Sequence, residues 1–223
     1  MHNGLGYHYV AFLDILGFSG MVERDCSGPT KDAVYLPKLL GVHKAAFEYA
    51  SKFAGAKVTQ FSDSIILALP YSADEFAGVV DHVAILQQTL LQDGILSRGG
   101  LSYGKHYSDE EFIFSDALIR AYKIERDRAI FPRVVVDDDL LDLLSTSGSD
   151  PQLALIREAD GACFVDYLRK MTPDVARTAV SETTANWQKT PVRVREKMRW
   201  LRDYAAYTFP RDDEFQSERF MPA

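Results

Sequence analysis

The run Tyr9-Val10-Ala11-Phe12-Leu13-Asp14-Ile15-Leu16-Gly17-Phe18-Ser19-Gly20 constrains the fold more than any other stretch of the chain. It opens apolar and aromatic, with strand character, and is then broken by one acid and two glycines. A buried strand has no use for an isolated carboxylate, because burying an unpaired charge costs on the order of several kcal/mol. A strand end that holds a cation does. Gly17 and Gly20 follow where the chain would turn and present backbone N–H groups, as phosphate-cradling turns do. Taken alone, Asp14 reads as an acid that caps the turn after a central strand. A second acid further on changes that reading.

The rest of the chain supplies helices and strands for that strand to pack against. Asp25 to Thr30 is a turn-rich break. Leu36 to Phe53 and Ala73 to Gln92 carry apolar residues at helical spacing. Between them, Lys57–Phe61 and Ser64–Leu69 form a predicted hairpin with Ser62-Asp63 at its tip. Ser97–Gly104 reads as a glycine-rich strand with close backbone approach, and Glu111–Phe114 continues the sheet. Asp116–Glu125 is a short helix, Pro132–Val136 a buried strand and Asp138–Leu144 a helix. Ser145–Pro151 is a loop, and Leu153–Arg157 and Ala162–Tyr167 form a late hairpin. Pro173–Lys189 mixes helix formers with Thr and Ser, Pro191–Tyr207 is a basic, aromatic helix, and the tail from Pro210 reads as loosely ordered. This order predicts an α+β fold: a ferredoxin-like, antiparallel-rich sheet with helices on one face and a helical extension at the carboxyl end. The expected division is a core over 1–145 and an extension over 146–223 packed on it. The end of the first strand and the hairpin tip would lie side by side, bringing Asp14 and Asp63 together.

Composition narrows the partners. The 223 residues suffice for one large domain, or one with an appendage. No apolar run reaches the ~20 residues that span a bilayer, and no signal-peptide pattern opens the chain. Cys26 and Cys163 form neither a metal cluster nor a disulfide framework. A cytoplasmic protein without a membrane partner is expected. A net charge of −7 argues against a nucleic-acid polymer and leaves room for a small polyphosphate neutralised by metal ions.

Two converging carboxylates suit hard cations such as Mg²⁺ or Mn²⁺, which share oxygen ligands with substrate phosphates. Two such ions about 4 Å apart activate a hydroxyl and stabilise charge on a phosphoryl group. The turn at Gly17 can donate N–H groups to a triphosphate. Arg98 is a candidate phosphate cation or a solvated strand-start arginine, and Asp63 a metal ligand or ordinary turn chemistry. His43, His82 and His106 share no ligand spacing; Tyr103, Tyr122 and Phe112 could stack on a base or simply pack.

Phe12-Leu13-Asp14-Ile15-Leu16-Gly17-Phe18, Phe61-Ser62-Asp63, Arg98-Gly99-Gly100-Leu101-Ser102-Tyr103-Gly104 and the run Ile113 to Glu125 resemble, in order and spacing, the class III nucleotide cyclase core over roughly the first 140 residues. The resemblance implies that Asp14, Asp63 and the Ile15 backbone hold two ions, Mn²⁺ or Mg²⁺. It implies cyclisation of a nucleoside triphosphate by attack of the 3′-oxygen on the α-phosphate. It also implies a head-to-tail homodimer with sites at the interface, and substrate contacts from Gly17, Phe18 and Arg98.

The departures narrow this. The family's adenine-reading lysine falls on Thr59 and the accompanying aspartate on Phe112; the guanine-reading acid and cysteine are absent too. Its transition-state asparagine falls on Ile119 and its arginine on Lys123, with Arg120 the alternative if the register slips. Together with the Trp200-Leu201-Arg202-Asp203-Tyr204 helix, this resembles the bacterial Pycsar pyrimidine cyclases. That resemblance implies UTP as substrate, cyclic UMP as an anti-phage second messenger, and a separate effector that the product activates. CTP stays open, because nothing separates an O4 acceptor from an N4 donor at the base edge. A degenerate, nucleotide-binding module of the same fold and a purine cyclase with relocated base contacts are the competing readings.

Overall fold

Side chains alternate across the first strand, β1 (Gly6–Ile15), and so sort it between two faces. Tyr9, Ala11, Leu13 and Ile15 are buried in the main core, whereas Val10 belongs to a second cluster with Ala68 and Ala117. Phe12 and Asp14 share the Val10 face by the same alternation. The computed structural model describes residues 4–29, 32–146, 154–210 and 220–222. Thr30 of the expected turn, 147–151 of the expected loop, Leu153, and the tail apart from 210 and 220–222 lie outside the described residues.

β1 leads into α1 (Phe18–Cys26), and then α2 (Tyr35–Ala50) precedes the hairpin of β2 (Lys57–Phe61) and β3 (Ser64–Pro70). A single 3₁₀ turn then enters α3 (Phe76–Gln92). β4 (Ser97–Ser108), β5 (Ile113–Ser115), α4 (Asp116–Arg128), β6 (Val134–Val136) and α5 (Asp138–Thr146) follow. The last part contributes β7 (Leu155–Glu158), β8 (Cys163–Val165), α6 (Pro173–Thr184), α7 (Val192–Thr208) and β9 (Phe220–Pro222). One sheet runs through all of them in the order β2-β3-β1-β4-β6-β8-β7-β9, with β5 on β4. Every pairing is antiparallel except β4 with β6. The α+β, antiparallel-rich sheet with covering helices is as the sequence predicts.

α2 and α3 form because their apolar residues repeat at helical spacing, Val42, Ala46 and Ala50 on one and Val79, Val83, Leu86 and Leu90 on the other. Both pack into the core on the Tyr9 face. The expectation of helices on one face does not hold for α4, which covers the opposite face. Ser115 caps it, its hydroxyl accepting the Leu118 N–H at 2.9 Å. Gly100 lets it sit close: a Cβ there would come within 2.2 Å of the Ala121 carbonyl oxygen.

Two elements escaped the sequence reading. α1 fully buries none of its residues and packs only Phe18 and Met21 partly against the core, so its apolar stripe is short. β9 gives only three residues to an edge, within the tail read as loosely ordered. α7 docks through fully buried Trp200, whose ring stacks on Phe131 (5.8 Å between centroids) and whose N–H donates to Glu158 Oε2 at 2.9 Å. Buried Arg133 completes this cluster by pairing with Glu158 and Asp160. Burying Trp200 and Leu201 contributes roughly 2–3 kcal/mol each. The ion pair, set against its desolvation, adds little net.

Candidate active site

Asp14 is the penultimate residue of the central strand, so it has a strand neighbour on both sides: Ser64 of β3 and Arg98 of β4. Directly opposed residues point to the same face. The hairpin closes through Ser62, which takes φ 55°, and Asp63. The Ile15 N–H donates to the Asp63 carbonyl at 2.8 Å. The hairpin tip is thereby fixed against the end of β1, and Asp14 and Asp63 stand at one sheet edge with the Ile15 backbone between them. The chain then turns at Gly17, whose φ of 80° favours glycine, and enters α1 at Phe18. No side chain caps this helix, so its first amides are donors without an intrahelical acceptor.

Arg98 is held by its own chain. Nε donates to Asp14 Oδ2 at 3.2 Å, Nη2 pairs with Glu125 Oε1 at 2.5 Å, and Nη1 donates to the Ala129 carbonyl at 3.4 Å. The Glu125 side chain is only 5% exposed. Burial pushes its carboxyl up; Arg98 pulls it down and Asp14 pushes it up again. Lys197 of α7 is half-buried, and burial followed by repulsion from Arg98 pushes its ammonium down.

The remaining candidates lie elsewhere on the sheet. Thr59 of β2 opposes Ile66, which opposes Phe12, so it shares the Asp14 face. Phe112 sits exposed in the β4–β5 turn, which Asp109 organises by accepting the Phe112 N–H at 2.8 Å and the Tyr107 hydroxyl at 2.8 Å. Lys57 Nζ donates to the Ser108 carbonyl and ties that turn to β2. A cleft of about 450 Å³ lies there, lined by Phe47, Lys57, Thr59, Gln60, Asp109 and Glu110. Phe112 follows the last residue of β4, whereas Arg98, the partner of Asp14, is near its first, so Phe112 and Asp14 belong to opposite ends of that strand.

On α4, Ile119, Tyr122 and Lys123 are exposed, with the Tyr122 ring edge-on to Phe12 at 5.6 Å. Arg120, also exposed, pairs with Asp116 at 3.1 Å and Asp139 at 2.9 Å. The structure therefore gathers Asp14, Asp63, Ile15, Gly17, Phe18 and Arg98 at one end. Thr59 and Phe112 lie away from it, and Arg120 and Lys123 stand three residues apart on the exposed surface of α4. Glu125 was not foreseen as a site residue; the signal was an acid beside Ala117, Ala121 and Ile124 on the buried face of a short helix. Lys197 carried no such signal.

Among the described residues no three of His, Cys, Asp and Glu cluster to hold a metal. The candidate donors are the Asp14 and Asp63 carboxylates and backbone oxygens. That set fits a hard divalent ion that completes its shell with phosphates and water, and does not suit zinc. No helix among the described residues is long and apolar enough to cross a membrane.

No protein-family model and no curated protein matches the chain. Solved structures do. One structure of a bacterial light-regulated adenylyl cyclase superposes with a TM-score of 0.51 at 13% identity, over 87% of this chain and 58% of that one. The chain thus spans less than two thirds of that longer protein. A second structure, also of a bacterial light-regulated adenylyl cyclase, gives a TM-score of 0.51 at 13% identity over 81% of this chain and 99% of that one. At this identity the likeness is one of fold: an α+β, mostly antiparallel sheet with helices, as in those adenylyl cyclase structures.

Proposed function

We propose that the chain is a metal-dependent pyrimidine nucleotide cyclase that converts UTP to 3′,5′-cyclic UMP and pyrophosphate, with CTP as the alternative substrate. The observation that carries this reading is the 2.8 Å bond from the Ile15 N–H to the Asp63 carbonyl, which sets two acid-bearing positions side by side at the end of the central strand. Asp14, Asp63 and the Ile15 carbonyl would hold two Mn²⁺ or Mg²⁺ ions. Bound there, the ions supply activation of the 3′-hydroxyl and charge neutralisation at the α-phosphate. The Gly17 and Phe18 amides at the start of α1 receive the triphosphate. The 3′-oxygen attacks the α-phosphorus in line, and pyrophosphate leaves.

Thr59 and Phe112, in place of an ammonium and a carboxylate, leave no purine reader at those positions. Of the two cations on α4, Lys123 is the better candidate to meet transition-state charge, because Arg120 is already engaged by two acids. The placement of Asp14 and Phe112 at opposite ends of β4 favours a head-to-tail homodimer, in which the metal end of one copy faces the base end of the other. The exposed Phe61, Ile119 and Tyr122 supply apolar area for that contact. The role of the product as an anti-phage messenger acting on a separate effector rests on the resemblance in sequence.

The test is incubation with Mn²⁺ and each of the four ribonucleoside triphosphates, with products identified by mass. Cyclic UMP, or cyclic CMP, as main product is expected. A cyclic purine nucleotide would overturn the base assignment. Mn²⁺-dependent nucleotide binding without any product would favour a binding module.

A further inference from the structure

We propose that Glu125 is a positioning residue for the Asp14 carboxylate: by holding one end of the Arg98 guanidinium it limits how far Arg98 neutralises Asp14, and so keeps Asp14 available to a divalent cation. The inference rests on the metal-site reading above and assigns Arg98 to the protein side of the site rather than to the substrate. Three nitrogens of Arg98 already have partners from three different parts of the chain: hydrogen bonds to Asp14 Oδ2 on β1 and the Ala129 carbonyl after α4, and an ion pair with Glu125 Oε1 on α4. An arginine pinned at three points is poorly placed to swing onto a phosphate, whereas its planar fork can fix the orientation of a carboxylate.

The charge balance points the same way. Two carboxylates share one guanidinium, so Arg98 alone does not neutralise both Asp14 and Glu125 beside Asp63. The ion pair to Glu125 is the shorter of the two and the more buried, with side-chain exposures of 5% for Glu125 and 22% for Asp14. Arg98 is therefore tethered from the α4 side and reaches Asp14 through Nε alone, at one carboxylate oxygen. The neighbouring glycines make the arrangement possible. A Cβ on Gly99 would meet the Phe12 carbonyl oxygen at 2.2 Å and one on Gly100 the Ala121 carbonyl oxygen at 2.2 Å, so β1, β4 and α4 approach closely at the level of Arg98.

The test is Mn²⁺ titration, by electron paramagnetic resonance of the free ion, of wild type, Glu125→Gln and Arg98→Lys, together with the KM for UTP at saturating Mn²⁺. Losing partners that orient a metal ligand typically weakens affinity about 10- to 100-fold. That loss is expected in Glu125→Gln, where the whole guanidinium charge falls on Asp14. It is also expected in Arg98→Lys, whose single ammonium cannot bridge both acids. UTP KM at saturating Mn²⁺ should stay within about twofold of wild type, since positioning acts on the ion. Arg98→Lys leaves Glu125 a cation nearby, so it reports even if Glu125→Gln folds poorly. Unchanged Mn²⁺ affinity in both variants overturns the inference while leaving the metal site standing. A raised UTP KM with unchanged Mn²⁺ affinity overturns it too, and returns Arg98 to the phosphates. Wild-type protein that binds no Mn²⁺ would instead remove the metal-site reading, and the inference with it.

Discussion

His82 and His106 show how burial sets single residues. His82 Nε2 donates to the Ala46 carbonyl at 3.1 Å, and its Nδ1 is buried without a partner. Burial, with smaller help from Lys52, pushes its pKa down to about 4. Burial, then His8 and Lys57, does the same for His106, also to about 4. Both are thus neutral in the native state, while the unfolded chain takes up protons below pH ~6.5. Their stabilisation is complete above that pH and is lost as pH falls toward 4, by up to about 1.4 kcal/mol per pH unit for each. Urea unfolding between pH 7.5 and 5 should show the decline, and His82→Gln should flatten it. That comparison separates the histidine from Glu125 and Asp166, whose carboxyls burial pushes up and whose contribution has the opposite sign. Equal slopes in the two proteins would contradict the assignment.

At the scale of elements, the packing of α4 on β4 depends on Gly100. A Cβ there would collide with backbone, and backbone cannot rotate away as a side-chain tip can. Gly100→Ala should cost about 1–3 kcal/mol in urea unfolding; a loss under about 0.5 would mean that helix and strand are not in close contact. Elements with their own periodicity were legible in the sequence: the α2 and α3 stripes, the hairpin around Ser62-Asp63, the late hairpin and the basic helix that became α7. α1 was not, because a nine-residue helix that packs only Phe18 and Met21 partly against the core shows too short a stripe to read. β9 was not, because three residues pairing with Ile156, Arg157 and Glu158 depend on a distant partner strand rather than on their own sequence. The face that α4 covers was also hidden. Glycines in a strand announce close approach, without saying from which side.

For the whole molecule, the placing of the Asp63 backbone beside the end of β1 was legible because one tight hairpin beside the central strand leaves little choice of register. The engagement of Arg98 by Glu125 was not, since it depends on how α4 lies across the sheet. The head-to-tail dimer of the proposed enzyme makes a distinct prediction. Ile119 is 55% exposed, so Ile119→Glu should change monomer stability by no more than about 0.5 kcal/mol. It should nonetheless halve the mass seen by light scattering and abolish turnover. A variant that remains dimeric and active would place the interface elsewhere.

The central claim is that Asp14 and Asp63 form a cation-dependent cyclisation centre. The measurement that tests it most directly is the rate of cyclic nucleotide formation from UTP and Mn²⁺ by wild type, Asp14→Asn and Asp63→Asn side by side, with folding checked by thermal melting. Both variants should melt near wild type and lose at least ~10²-fold in rate, as expected when a site that stabilises developing charge is dismantled. Folded variants that still form the product at near wild-type rate would contradict it.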